Sequence, residues 1–524
     1  MISKATLALS HASRSALLLL PWETPLMKTL HLLLPVLFLA VASLVPRSSF
    51  GQGALTPPPG PPAPTMKSLD QVEARIMVNA TNTPGDATNS FIISAPGSYY
   101  FTGNLTGKAD KRGISIQAND VTLDLNGFAL VSGGGAGLRG VDTPAAINNL
   151  TVRNGSVRGW TGGGVWVGVA VAQVEKLRLV ENTGATGLTV GNGSIVKDCV
   201  ATANATGFFL PDRTQASNCI ATVNTGIGFN CTAYVNLLDC TSSRNGSDGI
   251  VTLGACNIIR CTATRNIPFG DGIRVTTGCN ISACTASNNG GTGIRMKGNC
   301  TISASVAGAN GENGISSTTF GDPGSTITDC TAHSNVGNGI NNHQGSITNC
   351  AANYNGYWGL YALEGIVSNS SAHYNSEDGI FGDNVSNSAA NHNGKKGIYA
   401  NGGTVAGCNT ANNGQMGIYA ADGAVSGSKA YSNGLDGIYA PNGTVTGCTA
   451  NFNVGSGIDA YFGSIANCTA STNGNHGISV QNGVLAFCVA YGNNRNNNGS
   501  VNFYTPPPSA GNPGTTRTGN NPTP

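Results

Sequence analysis

Residues 397–456 read GIYANGGTVAGCNTANNGQM, GIYAADGAVSGSKAYSNGLD and GIYAPNGTVTGCTANFNVGS, which are three successive units of 20 residues. Each unit contains three short stretches in which apolar and polar residues alternate, separated by Gly, Asn or Asp. No stretch is long enough for a helix, so the unit predicts three short strands. Because one unit buries little apolar surface by itself, we expect the units to stack at the ~4.8 Å spacing of β-strands.

A column of asparagines accompanies the repeat through residues 161–503, although some units are longer than 20 residues. The fifteen members are Asn204, Asn224, Asn245, Asn266, Asn289, Asn310, Asn335, Asn355, Asn375, Asn393, Asn413, Asn433, Asn453, Asn473 and Asn493. Asparagine tolerates the left-handed backbone of a tight turn, and stacked amides can hydrogen-bond from coil to coil. The column therefore predicts a structural ladder, since a row of ligand-binding amides would not need all fifteen coils.

The units with their asparagine turns, together with the segment GISIQANDVTLDLNGFAL at residues 113–130, resemble right-handed parallel β-helix repeat proteins. Pectate lyases and polygalacturonases share that architecture. The resemblance implies an all-β, right-handed parallel β-helix solenoid with three short strands per coil of about 20–23 residues. Adhesins and phage tailspikes also use this solenoid, so the resemblance specifies the fold more than the activity.

The composition agrees with a solenoid and excludes nucleic-acid binding. Only 10% of the 524 residues are charged, glycine reaches 74 residues, and the formal net charge of +2 is spread without a basic block. A protein that neutralises phosphates needs such a block. Before the regular repeats, residues 68–160 are expected to form an N-terminal cap and the first, less regular coils, with the cap covering strand edges that would otherwise invite aggregation.

The N-terminus predicts export. Met27 and Lys28 open a short basic region, residues 30–39 are apolar, and small residues follow, so residues 1–52 resemble a signal peptide whose true start is Met27. A single long signal-anchor is the alternative. No later stretch is apolar enough to span a bilayer, and we expect a secreted, extracellular or cell-surface protein. Residues 53–67 predict a proline-rich spacer, and residues 504–524 predict a disordered tail.

Eleven of the 15 cysteines share one column of the repeat, and serine fills its gaps at residues 305, 370, 388 and 428. The members are Cys199, Cys219, Cys240, Cys261, Cys284, Cys330, Cys350, Cys408, Cys448, Cys468 and Cys488. A second short column contains Cys256, Cys279 and Cys300. Buried free thiols and disulfides between neighbouring coils are both compatible with this spacing. Zinc is disfavoured because the chain has no CxxC pair, and we predict no metal site.

Aromatic residues recur at the outward position of the G-I-Y-A strand. The predicted ligand-binding residues are Tyr361, Phe381, Tyr399, Tyr419 and Tyr439, with Trp358 beside them. Five successive coils span about 19 Å, and such a strip offers a stacking platform to the C–H-rich faces of sugars. The alternative is that aromatic residues on adjacent strands pack against each other and support the sheet.

A charged group forms a second candidate. Asp248 and Asp271 share the column just before G-I, while Arg274 and Arg295 share the outward column three residues on. The resemblance to polysaccharide lyases implies carboxylates that hold Ca²⁺ against a uronate and an arginine that removes the C5 proton. Only two carboxylates align, however, and opposite charges on adjacent coils can pair for solubility and register alone.

His476, in the segment Asn-His-Gly-Ile-Ser at residues 475–479, is a third candidate, since the segment is similar to the G-H-G-I-S motif of polygalacturonases. The sequence departs from that family at Asn475. It has no adjacent Asp-Asp pair and no Arg-Ile-Lys, so the acid and the water-activating base of an inverting hydrolase are missing. His476 also occupies an ordinary repeat position.

The sequence as a whole favours an exported β-helix that binds extracellular or cell-wall polysaccharide, or acts as a surface adhesion or structural module, without a cofactor or a catalytic centre. The alternative is a Ca²⁺-dependent polysaccharide lyase or a glycoside hydrolase of the pectate-lyase-like superfamily.

Overall fold

The computed structural model describes residues 74–317 and 324–506, and the backbone of residues 516–518. Every regular element in these ranges is a β-strand, and consecutive coils pair in parallel. The predicted right-handed parallel β-helix is confirmed. The predicted signal peptide and spacer, residues 1–67, lie outside the described residues.

Three sheets run the length of the solenoid. The strands of the first sheet are Asn89–Ile93, Arg112–Ile116, Arg139–Asp142, Gly163–Val167, Thr186–Val190, Thr206–Leu210, Phe229–Ala233, Ile250–Gly254, Ile273–Val275, Ile294–Met296, Ile315–Ser317, Ile340–Asn341, Leu360–Ser368, Ile380–Ser386, Ile398–Ala400, Ile418–Ala420, Ile438–Tyr439, Ile458–Ala460, Ile478–Val480 and Phe503–Tyr504. The strands of the second sheet are Ile76–Met77, Gly97–Tyr100, Val121–Asp124, Leu150–Arg158, Ala172–Val180, Ile195–Lys197, Gln215–Ser217, Asn236–Leu238, Asn257–Ile259, Asn280–Ser282, Thr301–Ser303, Thr326–Thr328, Ser346–Thr348, Leu360–Ser368, Ile380–Ser386, Thr404–Ala406, Ala424–Ser426, Thr444–Thr446, Ser464–Ala466, Val484–Ala486 and Thr516–Thr518. The strands of the third sheet are Leu105–Thr106, Ala129–Val131, Leu150–Arg158, Ala172–Val180, Val200–Thr202, Ile220–Thr222, Thr241–Ser243, Thr262–Thr264, Thr285–Ser287, Val306–Gly308, Thr331–His333, Ala351–Asn353, Ser371–His373, Ala389–Asn391, Asn409–Ala411, Lys429–Tyr431, Thr449–Asn451, Thr469–Ser471 and Val489–Tyr491.

Four long strands turn the corner between two sheets without a break. Leu150–Arg158 and Ala172–Val180 belong to the second and third sheets, whereas Leu360–Ser368 and Ile380–Ser386 belong to the first and second. Within the region predicted as a disordered tail, Tyr504 pairs with Ser479, and Thr516–Thr518 pairs with Val484–Ala486. The described residues contain no helix that could cross a membrane.

The core is narrow because small apolar residues point inward from all three sheets. Ile398 and Ala400 are fully buried on either side of half-buried Tyr399, and Val405 and Cys408 are buried in the same coil. Identical positions pair from coil to coil, as in Ile398 with Ile418 and Ile418 with Ile438. The alternation in the sequence therefore sets the register of every coil.

The asparagine ladder is confirmed, and it is longer than predicted. The Asn393 Nδ2 donates to Asn413 Oδ1 (3.0 Å) and to the carbonyl of Ala372 (3.0 Å), while the Asn393 backbone N–H donates to the same Asn413 oxygen (3.0 Å). The ladder begins one coil earlier than predicted, at Asn182, and continues past Asn493 to Asn502. Each buried amide therefore finds its partners in the column and at a backbone carbonyl of the preceding coil.

The predicted backbone conformation of the ladder is wrong. None of the ladder asparagines from Asn182 to Asn493 has a positive φ; the residue immediately before each of them does, as in His392 (φ 57°) and Asn412 (φ 55°). A single left-handed residue bends the chain between two strands, and the following asparagine then points inward. The residue before the cysteine column has the same conformation, as in Asn387 (φ 48°).

The cysteine column forms a second ladder. All fifteen cysteines are buried thiols that form no disulfide. The Ser428 N–H donates to Cys448 Sγ (3.4 Å), and the Cys408 N–H donates to Ser428 Oγ (3.1 Å). Serine can replace cysteine because either side chain is small and accepts the amide of the preceding coil. Burial raises the pKa of the Cys408 thiol, which leaves it neutral and unreactive.

Candidate functional site

The structure brings all six predicted aromatic residues together. Tyr361, Phe381, Tyr399, Tyr419 and Tyr439 pair in register on five consecutive strands of the first sheet. Trp358 lies beside Tyr361, with 4.6 Å between the ring centroids. We call these six residues the aromatic strip. All six are half-buried, so each ring is supported by the solenoid and still reaches solvent.

The rings of the aromatic strip adopt two arrangements. Trp358 and Tyr361 are stacked, and so are Tyr361 and Phe381 (4.8 Å, 19° between ring planes). Further along the strip, neighbouring ring planes are nearly perpendicular. The angle is 84° between Phe381 and Tyr399 and 88° between Tyr399 and Tyr419. Mutual packing thus covers ring faces at the Trp358 end, whereas Tyr399 is turned relative to both neighbours. Face-to-face packing between the rings is consequently confined to the Trp358 end of the strip.

The polar groups on the strip are few. Lys396 Nζ lies 4.8 Å from the centre of the Tyr399 ring and 5.7 Å from that of Tyr419, a cation–π arrangement. The hydroxyls of Tyr361, Tyr399, Tyr419 and Tyr439 make no hydrogen bond to any other described residue. These hydroxyls can donate to, and accept from, a ligand lying along the strip.

An open groove of about 540 Å³ adjoins the strip at its Trp358 end. The lining residues are Asn313, Gly337, Asn338, Tyr357, Trp358, Glu377 and Lys395. Glu377 and Lys395 form an ion pair across consecutive coils, and Tyr357 is exposed. The groove therefore combines aromatic surface, amides and one ion pair next to a ring of the strip, which is the mixture that orients a polar ligand with apolar faces.

The opposite end of the strip is acidic. Asp459 follows Tyr439 in register on the next coil, and Asp436 lies three residues before Tyr439. Burial, and then the nearby charge of Asp436, raise the pKa of Asp459 to about 6. Burial likewise raises the pKa of Asp436.

The charged candidates form ion pairs between consecutive coils. Arg274 pairs with Asp248 (2.6 Å), and Arg295 pairs with Asp271 (2.7 Å) and with Glu312 (2.5 Å). Burial raises the pKa of Asp271, against the opposing effect of Arg295. The predicted pairing of opposite charges is present, and each of the two aspartates forms an ion pair with an arginine.

The aspartates also belong to a third ladder, which was not predicted from the sequence. Asp248 Oδ1 accepts the backbone N–H of Asp271 (2.8 Å), and Asp271 Oδ1 accepts that of Thr292 (2.8 Å). The same contact recurs in the strip region, where Asp378 Oδ1 accepts the Lys396 N–H (2.7 Å). The sequence signal for this ladder is the recurrence of Asp or Asn just before Gly-Ile. The side-chain oxygen at this position accepts a backbone N–H of the next coil.

His476 lies far from this charged group. It is on the coil of Ile478, eleven steps in register from Ile250, or about 50 Å along the axis. Its Nδ1 accepts the backbone N–H of Val501 (3.1 Å), and its ring stacks on Tyr504 (4.4 Å between centroids). Burial lowers the pKa of His476. The five predicted catalytic candidates therefore do not form one site.

No group of three or more His, Cys, Asp or Glu side chains that could hold a metal ion occurs in the part of the chain that the structure describes.

No protein-family model matches the chain, and comparison with curated proteins finds no significant match. Among solved structures, the chain is similar to the A-module of the mannuronan C-5 epimerase AlgE6 of Azotobacter vinelandii, at 14% identity and a TM-score of 0.33, over 64% of this chain and 90% of the module. It is similar to the pectate lyase Pel9A at 16% identity and a TM-score of 0.27, over 51% of this chain and 71% of the lyase. It is also similar to tailspike protein 3 of bacteriophage CBA120, at 12% identity and a TM-score of 0.25, over 71% of this chain and 56% of the tailspike.

Proposed function

We propose that this protein is an exported β-helix that binds extracellular or cell-wall polysaccharide along its aromatic strip. The observation that carries the proposal is the continuous run of six half-buried aromatic rings on five consecutive coils. Pyranose rings have C–H-rich faces that stack on aromatic rings and hydroxyls that hydrogen-bond to phenols. The strip supplies both groups, and the groove beside Trp358 extends it.

The central test removes two rings and measures binding to a glycan array. Replacing Tyr399 and Tyr419 together with alanine should lower affinity for a retained glycan at least tenfold, because two adjacent stacking surfaces are lost. The matched control is the double replacement of Tyr354 and Tyr374, which also stack on each other (4.9 Å) but lie on the third-sheet side. No retained glycan, or equal losses in the two double variants, would remove the proposal.

A binding role requires no cofactor, whereas the lyase alternative requires Ca²⁺ and free carboxylates. Asp248 and Asp271 each accept an arginine and a backbone N–H, an arrangement that favours a structural role for both. Incubation with uronate polymers and Ca²⁺ should therefore give no absorbance from unsaturated products. A signal that Asp271→Ala abolishes would establish the lyase instead.

A further inference from the structure

Among the described residues, two arginines in the middle of the solenoid lack the acidic partner that the other nearby arginines have. Between residues 236 and 317 the chain has five arginines. Arg260, Arg274 and Arg295 each pair with an aspartate of the preceding coil at 2.6–2.7 Å. Arg244 and Arg265 have no carboxylate within ion-pair distance among the described residues, and both are exposed.

Arg244 and Arg265 occupy the same position on consecutive coils. Ser243 pairs in register with Thr264, and each is followed by one of the two arginines. Both arginines have a left-handed backbone, with φ of 53° and 56°. Their Cα atoms are consequently separated by about one coil spacing, ~4.8 Å, and like charges on neighbouring strands repel each other. An anion between the two guanidinium groups would relieve that repulsion.

Hydroxyl groups precede the two arginines, and an exposed aromatic side chain lies in the same loop as Arg265. The hydroxyls of Thr222 and Ser243 lie 3.1 Å apart, and those of Thr264 and Ser287 lie 3.4 Å apart, so a row of hydroxyls borders the arginines. Four residues after Arg265, Phe269 is 86% exposed, the most exposed large hydrophobic side chain of the described residues. A planar oxyanion suits the guanidinium fork, and an exposed phenyl ring suits the face of a sugar.

We propose that Arg244 and Arg265 form a binding site for a carboxylate- or sulfate-bearing sugar of an anionic polysaccharide, with Phe269 contacting the sugar ring. The two arginines immediately precede the ladder asparagines Asn245 and Asn266, and they lie five and four coils, respectively, from Tyr361. It is separate from the aromatic strip and does not depend on the function proposed for the strip.

The test measures the affinity of the full chain for oligogalacturonate, for a neutral oligosaccharide of the same length and for inorganic phosphate. Replacing Arg244 and Arg265 together with glutamine should weaken oligogalacturonate binding at least tenfold. The charge-matched control replaces Arg213 and Lys297, which are also exposed, and should weaken it less than twofold. Both double variants change only exposed side chains, and thermal unfolding verifies that each retains the fold.

Three results would overturn the proposal: no loss of affinity in the Arg244 and Arg265 variant, an equal loss in the control, or phosphate binding as tight as that of oligogalacturonate. Phe269→Ala should weaken oligogalacturonate binding and leave phosphate binding unchanged, and an unchanged sugar affinity would contradict the contact with the sugar ring. The proposal for the aromatic strip is tested separately, by the Tyr399 and Tyr419 variant on the glycan array.

Discussion

A ladder asparagine is held by contacts on both sides of its coil. Asn393 is 2% exposed, donates to Asn413 and Ala372, and accepts both the backbone N–H and the Nδ2 of Asn375. Every polar atom of its amide is engaged, so removing the side chain leaves partners on two neighbouring coils without a hydrogen bond. The cost of such unsatisfied buried groups is about 1–3 kcal/mol.

Asn393→Ala should therefore lower the free energy of unfolding by about 1–3 kcal/mol while leaving glycan affinity unchanged. Urea denaturation followed by circular dichroism measures the first quantity. The matched control is Asn401→Ala at the start of the next coil, where the side chain is exposed and stability should change little. Equal losses of unfolding free energy in the two variants would show that the ladder hydrogen bonds add no stability of their own.

Asp459 should make stability depend on pH. Because its pKa in the folded protein, about 6, lies above the ordinary 3.8, the folded state binds the proton more tightly than the unfolded chain. Stability should fall as pH rises from about 4 to 6. Asp459→Asn should remove that part of the dependence and raise stability at pH 7 by about 1–3 kcal/mol, as melting temperatures across the pH range would show. A wild-type profile that rises between pH 4 and 6 would contradict this sign.

At the scale of the element, strands of three residues owe their position to the turns between them. Many turns place a non-glycine residue in the left-handed region, including β-branched Val223 (φ 57°). This conformation costs an L-residue roughly 1–2 kcal/mol, and stacking of the coils outweighs that cost. The turns are thus a part of the fold where a single substitution can add stability.

Val223→Asn should raise stability by about 0.5–1 kcal/mol, because asparagine adopts the left-handed backbone more readily than a β-branched residue. The control is Val336→Asn, since Val336 is similarly exposed but has an ordinary φ. Thermal unfolding of both variants measures the difference. A gain at Val336 as large as that at Val223 would point to solubility instead of backbone conformation.

The sequence predicted the elements better than the turns and contacts. Period-2 alternation and the recurring asparagine suffice for strands, inward faces and the ladder, because each depends on residue type at a fixed spacing. The ladder members Asn182 and Asn502 were missed; Asn502 in particular follows its neighbour by only nine residues. The left-handed residue was placed one position too late, since the turn depends on backbone geometry and several residue types fill it. Ring orientations within the aromatic strip, and the amide contacts of Asp248 and Asp271, depend on side-chain rotamers that spacing alone does not specify.

At the scale of the whole molecule, the coils are interchangeable in register. Ile398, Ile418 and Ile438 pair in sequence, and so do Val405, Val425 and Val445. Each coil contacts its two neighbours, so stability is the sum of many similar interfaces. The unit that can be added or removed is one full coil.

Deletion of residues 417–436, one coil of 20 residues, should leave a folded protein, because Ile398 can then pair with Ile438. Deletion of residues 417–426 should destabilise it strongly, because half a coil places first-sheet residues opposite third-sheet residues. Circular dichroism and limited proteolysis distinguish the two. Proteolysis of the full-coil deletion as fast as that of the half-coil deletion would contradict interchangeability.

The direction of the ladders has a mechanical consequence. The amide contacts of the asparagine column and the backbone hydrogen bonds between coils all join one coil to the next. Tension applied between the two ends of the solenoid would therefore load every interface in series, and the weakest interface would open first. Each coil released in this way adds up to about 70 Å of extended chain for 20 residues. A polymer-bound solenoid would thus lengthen in steps, acting as an extensible tether.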